Sequence, residues 1–245
     1  MSEKIKVAAV SYLNTKPLLW GLENSEIKDE IELVTDYPSS LAKLMQEGRA
    51  DVALLPVAAM KGIENARIVS DYGIGADGNV ASVALFSRVP VKDIASVFLD
   101  YQSRTSVKLA EILLRDYWKQ VVELLPAHKH YIDEISGTKA GVIIGDRALM
   151  NLNSFEYVYD LSAAWKDHMG LDFIFAAWIS GKELPADFVA RFNAANALGL
   201  NHLDEVIAAN QCGYYDLRTY YTNNIKFHLD AQKRQGLDKF LGLIG

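Results

Sequence analysis

The chain has 245 residues, 50% of them hydrophobic and 23% charged, and carries a formal net charge of -6 with a pI near 5.4. A chain of this length buries roughly three quarters of its unfolded surface, so its core needs no disulfide or metal. The acidic balance argues against nucleic acid or an anionic membrane as the main partner, but a small anion held by local donors stays possible.

The sequence contains no run of 18 apolar residues, so no membrane span is predicted. The apolar stretch behind the lysine-bearing start is too short for the central region of a secretory signal. The single cysteine, Cys212, has no partner for an internal disulfide. We therefore expect a cytoplasmic protein.

Strand and helix patterns alternate in the first part of the chain. Apolar runs and helical spacing predict strands at 4–10, 30–36, 50–57 and 79–87, and helices at 17–22 and 38–49. The run at 50–57 is apolar throughout, which is typical of a buried parallel strand. Units of this kind build a mostly parallel sheet covered by helices.

The same alternation starts again further along the chain. We predict strands at 96–100, 140–144 and 173–180, with a long amphipathic helix at 103–120 and a helix after the strand that ends at 144. From Pro185 onward the sequence is almost wholly helical in pattern.

Two such segments without a linker predict an α/β fold of two lobes, each a mostly parallel sheet flanked by helices. We place lobe one at 1–88 plus 180–245 and lobe two at 89–179, with crossings near 87–91 and 177–181. A ligand cleft between the lobes is expected, because ligands favour such interfaces.

Polar clusters mark four strand ends: SYLNT after the first strand, SVALFS near the first crossing, SRTS after 96–100 and GDRA after 140–144. Ligands bind outside the carboxyl ends of parallel strands, so these clusters are the candidate site.

The SRTS cluster has two interpretations. Ser103, Thr105 and Ser106 lie where a helix begins, and free backbone donors with the positive end of the helix dipole make an anion site there. Ordinary helix capping is the alternative, and from this cluster alone we favour capping by roughly two to one. Arg104 is similarly ambiguous, since most arginines stay solvated. Asp146 either caps a helix or directs a carboxylate at a ligand.

Several other chemistries are not indicated. The five histidines have no zinc-ligand spacing, and the glycine-rich stretch at 73–80 lacks the lysine and helix of a phosphate loop. No Gly-x-Ser-x-Gly nucleophile motif occurs. We therefore predict no metal site.

The motifs VSYLNTKPL, GRADVALLPV, VASVALFS, LDYQSRTSVKLAEILL and VIIGDRAL resemble the chorismate dehydratases of the futalosine route to menaquinone. The resemblance extends from about residue 10 to residue 178, and SYLNT with SRTS and a later GD-x-AL is its specific part. It implies the periplasmic binding protein fold of the second structural type.

The resemblance also implies conversion of chorismate to 3-[(1-carboxyvinyl)oxy]benzoate and water, without metal or organic cofactor. By this resemblance Asn14 and Ser82 belong to the catalytic site, with Asp146 as the one acid in a matching motif. Our hypothesis is that the enolpyruvyl carboxylate of the substrate takes the proton, and Asp146 as base is the alternative. The substrate-binding residues expected around them are Ser11, Tyr12, Thr15, Ser103, Arg104, Thr105, Ser106 and Gly145.

Two other functions remain open. One is the sister lyase that forms 1,4-dihydroxy-6-naphthoate in the same route, and the other is a non-catalytic protein that binds a small anion. In every case the expected partner is a small molecule, and the sequence leaves the oligomeric state undetermined.

Overall fold

A computed structural model describes residues 4–36 and 38–245, with 38 and 39 described by their backbone. The chain divides into two compact units. The first contains the chain up to Gly75 together with Ile174–Asp230, and the second contains Ala76–Phe173 and Ala231–Gly245. The chain therefore passes between the units three times.

Eleven strands are present in the described residues: β1 Ile5–Ala9, β2 Ile31–Thr35, β3 Val52–Pro56, β4 Arg67–Ala76, β5 Val83–Ser87, β6 Ser96–Leu99, β7 Glu123–Pro126, β8 Lys139–Ile144, β9 Tyr157–Asp160, β10 Phe173–Ser180 and β11 Lys226–His228.

The α-helices found there are α1 Lys16–Asn24, α2 Pro38–Gln46, α3 Arg104–Ile112, α4 Asp146–Asn151, α5 Leu161–Met169, α6 Ala186–Asn201, α7 Leu203–Ala209, α8 Leu217–Thr219 and α9 Ala231–Leu243. Wider π-helical turns, Leu113–Tyr117 and Tyr220–Asn224, extend α3 and α8. Among the described residues, no helix is both long and apolar enough to cross a bilayer.

The sheet of the first unit has the order β11-β4-β10-β3-β1-β2. β1 runs parallel to β2 and β3, whereas β10 pairs antiparallel with β3, and β11 with β4. The carboxyl ends of β1 and β2 therefore lie at one edge of this sheet, which is where the SYLNT cluster follows β1.

The sheet of the second unit has the order β7-β6-β8-β5-β9. β6 runs parallel to β7 and β8, and β5 runs antiparallel to both β8 and β9. Its core is built from buried apolar side chains of these strands and of the neighbouring helices: Ala84, Phe86, Phe98, Tyr131, Ile135, Ile143 and Ala148.

The predicted boundaries of lobe one (1–88 plus 180–245) and lobe two (89–179) differ from this division. β5 lies inside the second sheet, so the first crossing falls at Gly75 and Ala76 rather than near 87–91. The second crossing, at Phe173 and Ile174, precedes the predicted 177–181.

A third crossing, at Asp230 and Ala231, was not predicted. It carries α9 to the second unit, where the Phe240 ring packs 5.0 Å from that of Phe173. The two sheets are mixed rather than mostly parallel, because β5, β9, β10 and β11 pair antiparallel with their neighbours.

Candidate functional site

The turn after β1 carries four of the predicted site residues. Leu13–Thr15 form a single 3-10 turn before α1, and Thr15 precedes that helix without a side-chain capping hydrogen bond. The Thr15 hydroxyl lies 2.7 Å from the carbonyl oxygen of Val10 and 2.8 Å from that of Tyr12. Its proton is therefore used inside the turn, so Thr15 shapes the turn rather than serving as a hydroxyl donor to a ligand.

Asn14 has the most informative environment in this turn. Its side-chain oxygen is buried and has no hydrogen-bond partner among the described residues. Buried polar atoms are almost always paired, and leaving one unpaired costs about 1–3 kcal/mol. An orphan of this kind is expected where a ligand completes the hydrogen bonding.

Ser11 is exposed, and its hydroxyl accepts a hydrogen bond from Lys16 Nζ at 2.9 Å. A cavity of about 300 Å³ lies here, lined by Val10, Ser11 and Tyr12. Thr35, the last residue of β2, and Asp36 complete its lining. The Lys16 ammonium thus brings one cation to this edge of the first sheet.

A larger cavity of about 450 Å³ occurs in the same unit, between the end of α2, the start of β3 and the residues after β10. It is lined by Asp51, Lys182 and eight other residues, none of which is a predicted site residue. We place the candidate site at the smaller cavity because the predicted site residues Ser11 and Tyr12 line it.

Three predicted motifs meet at one edge of the second sheet. Ser103 follows β6 and Gly145 follows β8, and these strands are parallel neighbours. Ser82 precedes β5 instead of ending it, but β5 is antiparallel to β8 and pairs Val83 with Ile144. The antiparallel strand therefore brings Ser82 to the edge shared by the other two motifs.

The start of α3 confirms the capping interpretation. The Ser103 hydroxyl accepts a hydrogen bond from the backbone N–H of Ser106 at 3.2 Å and lies 3.0 Å from the Ser106 hydroxyl. Ser103, Thr105 and Ser106 are all buried, whereas Arg104 is exposed. Capping and anion binding are compatible, because the helix dipole acts on a ligand at the same end.

Ser82 lies in a strained turn. Its backbone N–H donates to the carbonyl oxygen of Val80 at 2.7 Å, and Ala81 has a φ of 61°, which a residue with a Cβ rarely adopts. The carbonyl oxygen of Ser82 accepts a hydrogen bond from the N–H of Gly145 at 2.7 Å. Strain of this kind costs about 1–3 kcal/mol and persists only where surrounding contacts enforce it.

Asp160 and Asn79 both hold the turn, and Asn79 Oδ1 accepts a hydrogen bond from the Ala81 N–H at 2.7 Å. One carboxylate oxygen of Asp160 accepts the N–H groups of Val80 and Ala81 at 3.0 and 2.7 Å, and the other accepts those of Ser162 and Ala163 at 2.9 and 3.0 Å. Burial raises the pKa of Asp160 to about 6, while the four N–H donors favour its charged form. Asp160 therefore caps α5 and holds the Ser82 turn with one side chain.

Gly145 has a φ of 62° and directly precedes α4, whose first residue is Asp146. Asp146 is half-buried at this helix start. Among the described residues there is no group of three or more His, Cys, Asp or Glu side chains that could hold a metal ion.

The predicted residues fall into two groups, each compact within its own unit. Ser11, Tyr12, Asn14 and Thr15 lie in the first unit, and the remaining seven lie at the edge of the second sheet. Lys16, Asp160 and Arg147 were not predicted as site residues from the sequence. Lys16 could have been found, since it stands inside the quoted SYLNTKPL motif, whereas Asp160 and Arg147 act through partners distant in sequence.

The model of a protein family described as "Menaquinone biosynthesis" matches residues 5–245. The chain belongs to this family. One relative is the chorismate dehydratase of Thermus thermophilus, which is 26% identical over 231 residues. The alignment covers 85% of this chain and 84% of that protein.

Solved structures confirm the fold. A protein from Archaeoglobus fulgidus aligns with a TM-score of 0.77 at 14% identity, covering 99% of this chain and 97% of that one. A Candida albicans protein described as having the generic periplasmic binding protein fold aligns with a TM-score of 0.70 at 15% identity, covering 98% and 90%. The aliphatic sulphonate binding protein of Escherichia coli gives 0.59 at 12% identity, covering 99% and 93%. This chain thus has the periplasmic-binding-protein-like architecture predicted from the motifs.

Proposed function

We propose that this protein is a chorismate dehydratase, a hydro-lyase that converts chorismate to 3-[(1-carboxyvinyl)oxy]benzoate and water. The observation that carries the proposal is the family match over residues 5–245, supported by the Thermus thermophilus chorismate dehydratase that aligns over 85% of the chain. The SYLNT, SRTS and GDRA segments that resemble this enzyme class lie at the ends of β1, β6 and β8.

Chorismate carries two carboxylates, so its site needs two sets of anion donors rather than a broadly basic surface. The first unit offers the Lys16 ammonium beside Ser11. The second unit offers the amino-terminal turn of α3, with its helix dipole and buried hydroxyls. These donors support recognition of a dianion by a protein whose net charge is negative.

The reaction removes a proton from the ring carbon that bears the enolpyruvyl ether, and the neighbouring hydroxyl then leaves. The electron pair of the broken C–H bond delocalises through the ring alkene into the ring carboxylate, and expulsion of hydroxide completes the aromatic ring. The removed proton and the hydroxide together make the water released. Fixed donors around the ring carboxylate stabilise this charge more in the transition state than in the ground state.

We assign the base to the enolpyruvyl carboxylate of the substrate, held in place by Asn14 and Ser82. Asp146 is the alternative. Turnover of Asp146→Asn separates the two: a rate within about threefold of wild type excludes Asp146 as the essential base. A collapse of turnover with retained chorismate binding would instead assign the base to Asp146.

The proposed activity is tested by incubating purified protein with chorismate and following the absorbance and mass of the product. We expect loss of one water per chorismate consumed, and we expect Ser82→Ala to slow it. Tight binding without conversion would indicate a non-catalytic anion-binding protein. Neither binding nor conversion would favour the sister lyase that forms 1,4-dihydroxy-6-naphthoate, which is then assayed directly.

The family resemblance implies no metal or organic cofactor, so turnover should survive dialysis against a chelator. A loss of activity that added metal restores would contradict this part of the proposal. We further propose a cytoplasmic location, which cell fractionation tests.

A further inference from the structure

Arg147 joins two segments that follow neighbouring parallel strands of the second sheet. Its Nη2 donates hydrogen bonds to Asp100 Oδ2 and to Gln102 Oε1, each at 2.7 Å. Asp100 and Gln102 follow β6, and Arg147 lies in the first turn of α4 after β8. One nitrogen therefore connects the loop before α3 to the start of α4.

The Asp100 carboxylate is the buried centre of this connection. Its side chain is 0% exposed, and it also accepts hydrogen bonds from the Tyr131 hydroxyl and from the backbone N–H of Gln102, each at 2.7 Å. Burial raises the pKa of Asp100, and the charge of Arg147 opposes this shift. A buried carboxylate is stable only with such partners.

The Arg147 guanidinium is held on its faces as well. It lies 5.3 Å from the Tyr101 ring centroid and 6.0 Å from that of Tyr131. Its side chain is 26% exposed, so the cation is partly shielded from solvent. Cation–π contacts together with the two hydrogen bonds restrict it to one orientation.

The segment fixed in this way leads directly into the candidate anion site. Gln102 is followed by Ser103, whose hydroxyl caps α3 and contacts Ser106. Fixing the backbone at Asp100 and the side chain at Gln102 therefore fixes where the first turn of α3 lies relative to α4. A displacement of this turn would weaken its hydrogen bonds to a bound carboxylate.

We propose that Arg147 and Gln102 are positioning residues that hold the amino-terminal turn of α3 in place for a substrate carboxylate. The identity of that substrate rests on the proposed function, but the positioning role does not. Neither residue needs to touch the reacting atoms, since both act through the loop before Ser103.

The sharpest variant is Gln102→Met, because it keeps side-chain length and leaves the Asp100–Arg147 ion pair intact. We expect its KM for chorismate to rise about tenfold with kcat within about threefold, as for loss of binding shared by ground and transition states. Arg115→Met is the matched control, because Arg115 makes an exposed ion pair with Asp116 in the same unit. Its kinetic constants should equal those of wild type.

The double variant Asp100→Asn with Arg147→Met removes both charges, so no unpaired buried ion is left to unfold the protein. Hydrogen exchange on the full chain should accelerate about tenfold or more in peptides covering 100–106, and stay unchanged in peptides covering α5. The same exchange measurement on Gln102→Met should show a smaller acceleration in the same peptides.

Unchanged exchange over 100–106 in both variants would overturn the proposal, and so would faster exchange with a wild-type KM in Gln102→Met. If wild-type protein does not convert chorismate, the proposed function fails by itself, and the exchange result alone then decides whether Arg147 and Gln102 hold this turn.

Discussion

The Asn14 side chain combines burial with an unused hydrogen-bonding group. Its oxygen has no partner among the described residues, in a turn where the Thr15 hydroxyl directs its proton at the carbonyl oxygens of Val10 and Tyr12. Folding gains nothing from this arrangement, which supports the proposal that Asn14 serves ligand binding. Replacing such a residue should strongly reduce activity and change the stability of the protein little.

We predict that Asn14→Leu leaves the free energy of unfolding unchanged or raises it by up to about 1 kcal/mol, because an unpaired polar group is removed. Turnover of chorismate should fall by at least about a hundredfold. Urea denaturation and steady-state kinetics measure the two effects. Asn24→Leu is the control, since Asn24 is exposed and donates a hydrogen bond to the Trp20 carbonyl oxygen. A parallel loss of stability and activity in Asn14→Leu would mean that Asn14 is structural.

Asp160 gives a pH-dependent prediction. Its pKa in the folded protein, about 6, lies above the unfolded value near 4, so its protonated form favours folding. Its contribution to stability is therefore complete below about pH 4 and is lost as the pH rises through 6, by about 3 kcal/mol in total. Asp160→Asn cannot titrate. The unfolding free energy of wild type, measured relative to that of this variant, should thus decrease between pH 4 and pH 7.

The same variant also tests the strained turn. An amide has one acceptor oxygen, so Asn at 160 keeps at most two of the four N–H bonds. We expect slower turnover of chorismate at pH 7, because the turn that precedes Ser82 loses some of the hydrogen bonds that hold it. A pH-independent stability difference together with wild-type turnover would contradict both expectations.

Helices α1 and α6 approach each other through a pair of glycines. A Cβ on Gly21 would lie 1.9 Å from the Ala195 carbonyl oxygen, and a Cβ on Gly199 would lie 1.8 Å from that of Pro17. Both obstacles are backbone atoms, which cannot move aside as a side chain can. The close approach of the two helices in the first unit therefore depends on the absence of side chains at both positions.

Gly199→Ala should destabilise the protein by about 1–3 kcal/mol or more, because α1 and α6 must move apart. Gly213→Ala is the matched control, since nothing lies within 4 Å of a Cβ there and its φ is not positive. We expect that control to stay within about 0.5 kcal/mol of wild type in urea denaturation. Equal stability of the two variants would show that the helices can repack.

The chain crosses between the two units three times. A charged residue of the second unit lies close in sequence to each crossing. Asp77 follows the first crossing, Asp172 precedes the second, and Lys233 follows the third. Lys166 of α5 bonds to Asp77 at 2.8 Å and to Asp172, and Lys233 lies 3.6 Å from the other oxygen of Asp172. One ion cluster thus ties together all three connecting segments within the second unit.

Asp172→Asn should cost about 3–5 kcal/mol, because it removes a buried carboxylate from its ion pairs with Lys166 and with the buried Lys233. Exchange of α9 amides should accelerate, since this helix is held at Asp172 through Lys233 and through the close contact of Gly236 with the Asp172 carbonyl oxygen. Lys43→Met removes an exposed i,i+4 ion pair and should cost no more than about 1 kcal/mol. If Asp172→Asn is as stable as Lys43→Met, the ion cluster does not stabilise the connecting segments.

Several elements were predictable because their signals are local. β3 and β10 are short apolar runs with the burial that their sequences predict, and α3 begins at the Ser103 cap that SRTS indicates. β11 has three residues and β7 four, too few for a period to be read from sequence. The sheet to which β5 belongs was also not predictable, because no local sequence pattern indicates which sheet a buried strand joins.

The candidate site divides in the same way. SYLNT, SRTS and GDRA were recognisable because each is contiguous in the chain. Asp160, by contrast, bonds to Val80 and Ala81 about eighty residues away, and Arg147 bonds to Asp100 forty-seven residues away. Side chains that act at such separations carry no sequence pattern of their own.

The sequence alone determined the family, the α/β fold and the polar segments that follow its strands, because these depend on residue type, spacing and contiguous motifs. The tertiary structure decided the three crossings, the antiparallel pairing that brings Ser82 beside Gly145, and the buried carboxylates that hold the turns. Those features follow from strand pairing and burial, which are settled only when distant segments compete for the same partners.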